Sequence, residues 1–170
     1  MSTEPTGELP LTPLRTTRLV LPLITPAQAA DLRAGVRHPS FAEGFPREDD
    51  LDACSMIKEL TPWGSRLIVR GVDGLVCGSI GFYGPPTAVD GIAEVEVGYG
   101  LVPDARGRGV ATEALSAVCD AADRVGVRVR ASVVPDNAAS LRVLAKSGFT
   151  QLRGSNEDGH LVMVRPGGVG

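Results

Sequence analysis

Leu101-Val-Pro-Asp-Ala-Arg-Gly-Arg-Gly-Val-Ala-Thr112 is the stretch that decides the fold class of this chain. It places a glycine-rich turn between an apolar strand and an amphipathic helix. Such a turn gathers the unpaired N–H groups of a helix start beside two guanidinium groups, Arg106 and Arg108. Because the helix dipole and the free amides both favour negative charge, the turn predicts a site for a phosphate or pyrophosphate.

The spacing of the glycines separates this turn from two other phosphate-binding loops. No glycine precedes a Lys-Ser or Lys-Thr pair at the spacing that a Walker loop requires. The dinucleotide fingerprint needs a third glycine where this chain has Thr112. What the chain carries is Arg106, Gly109 and Ala111 in the pattern Arg-x-x-Gly-x-Ala. This pattern resembles the coenzyme A pyrophosphate loop of the GNAT-superfamily N-acyltransferases.

Length and composition bound the class of protein. A chain of 170 residues fits one domain with a sizeable core, and its net charge of −3 argues against non-specific nucleic-acid binding. No apolar run approaches the roughly 20 residues of a membrane span, and the N-terminus lacks a signal-peptide pattern, so we expect a cytoplasmic protein. Cys54, Cys77 and Cys119 lack C-x-x-C spacing and predict reduced, mostly buried thiols. His38 and His160 stand in no metal-ligand pattern, and no metal site is expected.

Hydrophobic periodicity predicts a single mixed α/β (α+β) domain over residues 14–166, between a flexible lead-in at 1–13 and a tail at 167–170. Predicted strands cover 19–23, 67–69, 75–83, 94–101, 127–134, 149–152 and 161–164. Predicted helices open at Thr25-Pro26, cover about 49–60, run from the glycine turn to about Val125, and follow Asn137. The loop at 38–48 carries two aromatic side chains, Phe41 and Phe45, that are expected to be exposed.

A second group of motifs strengthens the resemblance. Asn137 and Ser140 stand where GNAT proteins place polar contacts to the pantetheine arm, and Lys146-Ser-Gly-Phe149 matches the family's Lys-x-Gly-Phe helix end. Asn137 could equally be only a helix N-cap. Leu14-Arg-Thr-Thr-Arg-Leu-Val-Leu21 and Glu96-Val-Gly-Tyr99 are similar to the ribosomal-protein N-terminal acetyltransferase (Rim-type) branch. The resemblance implies a central, splayed, mostly antiparallel sheet with helices on both faces, acetyl-CoA as donor and an amine as acceptor.

The resemblance also implies where coenzyme A would bind. Backbone amides of the turn would hold the pyrophosphate, with the side chain of Arg106 or Arg108 nearby. An exposed strand edge at Leu101 and Val102 would pair with the pantetheine amides, and an N–H from residues 98–101 could polarise the thioester carbonyl. The amides in question belong to Gly107, Arg108, Gly109, Val110, Ala111 and Thr112.

Glu96 is the candidate general base, working through water. We expect it to be half-buried among apolar neighbours with a raised pKa; alternatively it is a solvated or salt-bridged strand residue. Glu94, on the same strand face, is the competing candidate. Leu144 stands where many members of the superfamily carry a tyrosine acid, so Ser140 is the candidate that protonates or merely binds the leaving thiolate.

Two other functions remain open at this point. The chain could be an inactive coenzyme A-binding sensor with Glu96 turned away, or a partner-binding module that uses Phe41 and Phe45. The sequence does not identify the acceptor, which could be a protein N-terminus, a lysine, an antibiotic amine or a polyamine. Acidic residues at 49, 50 and 52 could attract a cationic acceptor or simply complement a helix dipole. A homodimer is compatible with this class of protein.

Overall fold

The computed structural model describes residues 9–166, which form nine strands and four helices. The strands are β1 (Leu14–Arg15), β2 (Leu19–Leu21), β3 (Ser65–Arg70), β4 (Val76–Phe82), β5 (Thr87–Val89), β6 (Ile92–Leu101), β7 (Arg128–Val133), β8 (Gln151–Ser155) and β9 (Leu161–Arg165). The helices are α1 (Pro26–Arg33), α2 (Glu48–Ser55), α3 (Val110–Arg124) and α4 (Ala138–Lys146).

All nine strands belong to one sheet, ordered β1-β2-β3-β4-β6-β7-β9-β8, with β5 pairing to the start of β6. Every neighbouring pair is antiparallel except β6 and β7, which are parallel because α3 connects them as a crossover. The predicted mostly antiparallel mixed sheet is therefore confirmed. The short strand β5 was not predicted; it forms a tight hairpin with β6 through Asp90 and Gly91, both at positive φ.

The central parallel pair opens along its length. Strands β6 and β7 pair only at residues 94–96 with 128–130. Beyond this point residues 97–101 of β6 continue to pair with β4, while residues 131–133 of β7 pair with β9. The sheet consequently splays between the C-terminal halves of β6 and β7, as the family resemblance implies.

Helices cover both faces of the sheet. Helix α3 packs on β2, β4, β6 and β7, and its apolar stripe is buried in the core. Tyr99 of β6 reaches α4 on this side through Ser140. Arg47, which caps α2, lies against Gly100, the neighbour of Tyr99 in the strand. Since successive strand residues face opposite sides, α2 lies on the face opposite α3 and α4.

The start of the described chain is more ordered than predicted. Leu9 is buried in the core, and the carbonyls of Pro10 and Thr12 accept hydrogen bonds from the buried guanidinium of Arg66 at 2.7 and 3.1 Å. Arg66 also donates to the carbonyl of Leu21. Part of the segment predicted as a flexible lead-in over 1–13 therefore contacts the domain; residues 1–8 and the predicted 167–170 tail lie outside the described residues.

Two further predictions for residues 38–60 are wrong. Helix α2 ends at Ser55 instead of near residue 60, because Met56 turns its N–H back to the carbonyl of Ala53, and residues 58–60 are exposed. Phe45 is buried and packs edge-on against the half-buried Phe41, with ring centroids 5.1 Å apart. These aromatic rings pack in the core, so the hypothesis of a partner-binding module that uses exposed Phe41 and Phe45 loses its basis.

The three cysteines are buried and free of disulfides, which confirms the prediction of buried thiols. Burial raises the pKa of Cys54 to about 11 and that of Cys119 to about 12, and it also raises the pKa of Cys77. Thiols of this kind are poor nucleophiles at neutral pH because the reactive form is the thiolate.

Candidate active site

The glycine turn has the backbone geometry of an anion site. Gly107 and Gly109 both adopt the left-handed conformation, with φ of 74° and 77°, which residues with a Cβ adopt only under strain. Gly109 is the N-cap of α3, and its carbonyl accepts the N–H of Glu113 at 3.0 Å. The N–H groups of residues 110–112 therefore come first in the helix, where the helix itself supplies no carbonyl partner. Arg106 and Arg108 are exposed beside them.

Arg18 stabilises this turn through contacts with Arg108 and Glu113, a role that the sequence did not reveal. Its Nη1 donates to the carbonyl of Arg108 at 3.0 Å, and its Nε pairs with Glu113 in the first turn of α3 at 2.7 Å. The hydroxyl of Thr16 donates to the same carboxylate. Both residues belong to the Leu14–Leu21 motif, so the only signal for this role was the motif's resemblance to a family pattern.

The splay exposes backbone groups of β6 to the opening. The carbonyl of Glu96 accepts the N–H of Tyr83, directly after β4, and the N–H of Val102 donates to Cys77 of β4. Because backbone groups alternate between the two edges of a strand, those of Tyr99 and Leu101 point to the opening. The prediction of an exposed edge at Val102 is therefore wrong: its N–H donates to Cys77, and its carbonyl accepts from Ala105.

Leu101, which is buried, presents its carbonyl at the opening, where it accepts a hydrogen bond from Nε of Arg106 at 3.1 Å. The turn and the opening are thus joined by one arginine side chain. A ligand that followed the opening from Tyr99 would meet Arg106 and then the start of α3.

Ser140 and Asn137 lie across the opening from β6, at the start of α4. Asn137 is the N-cap of this helix, and its side-chain oxygen accepts the backbone N–H of Ser140 at 3.1 Å. The hydroxyl of Ser140 lies 2.9 Å from the hydroxyl of Tyr99. Burial raises the pKa of Tyr99, an effect that this hydrogen bond opposes, so the phenol is protonated at neutral pH. Tyr99 is a site residue whose role the sequence reasoning missed.

Glu94 is fully buried and surrounded by three arginines. Its carboxylate accepts hydrogen bonds from Arg128, Arg130 and Arg153 at 2.5 to 2.8 Å. Burial alone would raise the pKa of Glu94, but the hydrogen bonds from these arginines outweigh it and hold the pKa at about 2. A carboxylate this acidic and this enclosed cannot serve as a general base near neutral pH, so Glu94 is a structural group.

Glu96, two residues further along β6, is more accessible, with 27% of its side chain exposed. Its Oε1 accepts hydrogen bonds from Arg130 Nε at 3.2 Å and from Ser132 Oγ at 3.3 Å. The expected apolar surroundings are therefore wrong, because polar groups of β7 lie beside this carboxylate. The alternative prediction, a salt-bridged strand residue, matches the contacts of Glu96. Its partial exposure leaves the carboxylate accessible to water.

A cavity of about 580 Å³ lies on the α2 side of β6. Its floor includes Ser65, Gly81 and Gly98, which are paired neighbours on β3, β4 and β6. The ring of Tyr83 lies over Gly98, so closely that a side chain at Gly98 would displace it. Tyr83 connects the cavity to Glu96, because its N–H donates to the Glu96 carbonyl at 3.0 Å. Partial desolvation of the phenol raises the pKa of Tyr83, and the negative charge of Glu96 raises it further.

The second wall of the cavity is α2. Arg47 lies over Gly100 and forms an ion pair with the buried Asp50 at 2.8 Å, and Asp50 also accepts the hydroxyl of Ser79. Glycines inside a strand, such as Gly98 and Gly100 of β6, are typical of places where another group approaches the backbone closely. In the structure the approaching groups are Tyr83 and Arg47.

Among residues 9–166 there is no cluster of three or more metal-ligating side chains of the His, Cys, Asp or Glu type. Within the same range, each helix is too short or too polar to cross a bilayer. His38 is exposed and contacts the hydroxyl of Ser40, whereas His160 is partly buried.

Comparison with known proteins identifies the family. Residues 18–150 match the acetyltransferase (GNAT) domain, which is more than half of the chain. This chain therefore belongs to the GNAT acetyltransferase family. No curated protein sequence matches it significantly.

Solved structures share the fold over nearly the whole chain. A protein from Bordetella pertussis assigned to the GnaT acetyltransferases is 27% identical, with a TM-score of 0.64 over 91% of this chain and 99% of that one. The ribosomal-protein-S5-alanine acetyltransferase from Vibrio fischeri is 16% identical, with a TM-score of 0.62 over 93% and 98%. The microcin C7 self-immunity acetyltransferase MccE, solved with acetyl-CoA and AMP, is 17% identical, with a TM-score of 0.62 over 92% and 98%.

Proposed function

We propose that this chain transfers an acetyl group from acetyl-CoA to a primary amine. The observation that carries the proposal is the junction of the splayed β6–β7 opening with the glycine turn at the start of α3. Residues along this path offer unpaired amides, two left-handed glycines and the Arg106 and Arg108 side chains, a donor set that suits a pyrophosphate. The solved complex of MccE with acetyl-CoA supports the same ligand.

In the proposed site the turn amides of residues 107–112 hold the pyrophosphate. The edge of β6 at Tyr99 and Leu101 pairs with the pantetheine amides, and Asn137 and Ser140 contact this arm from α4. The N–H of Tyr99 faces the opening and is placed to polarise the thioester carbonyl. Binding along the strand edge therefore leaves the carbonyl carbon open to attack from the cavity side.

Glu96 acts as the general base in this proposal. An ammonium acceptor first loses a proton through water to Oε2 of Glu96. This oxygen is the proposed acceptor because Arg130 and Ser132 both contact Oε1. The amine nitrogen then attacks the carbonyl carbon, and collapse of the tetrahedral intermediate breaks the carbon–sulfur bond. The leaving thiolate takes its proton from Ser140, which is replenished by the hydroxyl of Tyr99. The second proton of the attacking nitrogen, released as the amide forms, passes through water to restore the hydroxyl of Tyr99.

Titration calorimetry of acetyl-CoA against the purified protein tests the donor site. We expect micromolar binding in the native chain and a loss of at least tenfold in the Arg106→Ala/Arg108→Ala double variant, because two guanidinium partners of the pyrophosphate are removed. The control is Arg124→Ala, which removes one arginine at the far end of α3. Equal affinity of the native and double-variant proteins, or no binding to the native protein, would overturn the proposed donor site.

Glu96→Gln distinguishes an enzyme from an inactive coenzyme A-binding sensor. Removal of a general base lowers kcat by about 100-fold or more, while acetyl-CoA affinity stays the same because the carboxylate does not hold the donor. An amine-acetylation assay with the native chain and this variant provides the measurement. Turnover that survives the substitution would remove Glu96 as the base, and absence of turnover in the native chain would favour the sensor.

A further inference from the structure

The cavity beneath α2 has apolar and aromatic walls, and two of these side chains are largely exposed. The rings of Trp63 and Phe82 pack with centroids 5.4 Å apart, and both residues line the cavity. Met56 and Tyr83, which line it as well, are 58% and 57% exposed. Soluble proteins bury most large apolar side chains, so an exposed group of them around a cavity indicates a surface that is covered by a ligand.

The charge of the same cavity is acidic. Three carboxylates line it, those of Asp49, Asp52 and Glu59, whereas Lys58 contributes one ammonium. The guanidinium of Arg47 also lines it, but the buried carboxylate of Asp50 offsets its charge through a pairing at 2.8 Å. The excess of negative charge favours a cation and disfavours a ligand that carries a carboxylate of its own.

The cavity also leads to the proposed chemistry. Gly98 and Tyr99 line it, and Glu96 lies on the same strand face as Gly98, about 7 Å along the strand at the usual rise per residue. The ring of Tyr83 covers the backbone at Gly98, so the cavity meets β6 through an aromatic surface there. An amine at the Glu96 end of the cavity would therefore leave its carbon skeleton against Trp63 and Met56.

From these three features we infer that the acceptor is a small primary amine carried on an apolar or aromatic body and lacking a carboxylate. The inference rests on the proposed function, because it names the substrate of the same site. A volume of about 580 Å³ lies within the range of small-molecule sites, roughly 300–1,000 Å³. The aromatic walls also favour a cation directly, since an ammonium is attracted to the face of an aromatic ring.

Three amines distinguish the effect of the apolar body on kcat/KM from the effect of the charge. Phenethylamine carries both the ammonium and an apolar body, ethanolamine lacks the apolar body, and phenylalanine adds a carboxylate. We expect kcat/KM for phenethylamine to exceed that for ethanolamine by about tenfold to 100-fold, because a buried phenyl group contributes this much to binding. We expect phenylalanine to fall below phenethylamine by at least about tenfold, because its carboxylate meets the acidic lining.

Two variants test whether the cavity is responsible for the preference for phenethylamine over ethanolamine. Trp63→Ala should raise the KM for phenethylamine about tenfold and leave ethanolamine unchanged, because only the first amine uses the ring. Met56→Gln is the second variant; its side chain is largely exposed, so folding is preserved, and it should raise the same KM severalfold. The matched control is Val36→Ala, at an apolar residue that is 51% exposed and does not line the cavity.

A binding measurement keeps the acceptor class distinct from the proposed reaction. Phenethylamine is titrated calorimetrically into the protein saturated with coenzyme A, which requires no turnover. Binding that Trp63→Ala weakens, without acetylation, would uphold the acceptor class and overturn the transfer. Acetylation of ethanolamine, phenylalanine or a tetrapeptide beginning with phenylalanine at an equal or higher kcat/KM would uphold the transfer and overturn the acceptor class. Absence of both binding and acetylation of phenethylamine would overturn the acceptor class.

Discussion

Strand β6 separates two proposed sites, one built mainly from backbone groups and the other from side chains. The proposed donor side comprises the opening beside residues 97–101 and the glycine turn at 106–112, and most of the groups proposed to face the ligand are backbone amides. The proposed acceptor side is the cavity beneath α2 together with Glu96, and its groups are side chains from separate segments of the chain. A backbone site depends on local conformation, whereas a side-chain site depends on packing. The two sides should therefore respond differently to substitution.

The largest effect is expected from Glu94→Gln, which removes the buried charge that shares Arg130 with Glu96. Arg128, Arg130 and Arg153 would lose their common anionic partner. Breaking a buried ion pair in this way costs about 3–5 kcal/mol of the free energy of unfolding, measurable by urea denaturation. Glu96→Gln is the matched control, and we expect it to cost less than about 1 kcal/mol because Glu96 is partly exposed. Equal losses in the two variants would contradict the division of roles between these carboxylates.

Acid should weaken the same cluster. The pKa of Glu94 is about 2 in the folded protein against an ordinary value of 4.5, so the unfolded chain binds the proton more tightly. The stabilisation is therefore complete above pH 4.5 and is lost as the pH falls toward 2. At about 1.4 kcal/mol per pKa unit it amounts to at most about 3.5 kcal/mol. Urea midpoints at pH 7, 5 and 3.5 should fall less steeply for Glu94→Gln than for the native chain; parallel curves would contradict this assignment.

The donor side should respond to a change of backbone conformation alone. Gly109→Ala places a Cβ on a residue at φ 77°, 3.3 Å from Nη2 of Arg18, and the left-handed conformation costs about 1–2 kcal/mol. If the strain distorts the turn, acetyl-CoA affinity falls about tenfold while the acceptor KM is unchanged. Gly126→Ala is the control, with the same strain at φ 74° and open space around it after the end of α3. An equal loss of affinity in the control would mean that general instability, and not the turn, is responsible.

The smallest effect is expected where the donor side depends on a side chain. Tyr99→Phe removes the hydroxyl that lies 2.9 Å from Ser140, so we expect kcat to fall about threefold to tenfold with no change in acetyl-CoA affinity. Because the two hydroxyls are proposed to act together, the substitution should have little further effect in a Ser140→Ala background. Additive effects on kcat would show that Tyr99 acts independently of Ser140.

The same division explains what the sequence could predict. The cap at Thr25, the glycine turn and the start of α4 at Asn137 depend on residues within a few positions of one another, and all three are confirmed. The family resemblance added the splay between β6 and β7, which local patterns alone do not specify. These elements define most of the fold and the backbone of the donor side.

The acceptor side could not be predicted because its contacts join distant segments. Glu94 meets Arg153, which lies 59 positions away, and no local pattern distinguishes its surroundings from those of Glu96. For the same reason the apolar neighbours expected around Glu96 are in fact Arg130 and Ser132. The glycine at 98 indicated only that something approaches the strand, and packing determines that it is Tyr83.

The burial of all three cysteines has a practical consequence for the assay. Each turn of the proposed transfer would release one coenzyme A thiol, which a chromogenic disulfide reagent can titrate continuously. Cys54, Cys77 and Cys119 are enclosed and protonated at assay pH, so the native protein should contribute almost no background colour. The amine panel can therefore be screened by absorbance with the unmodified chain, without replacing any cysteine.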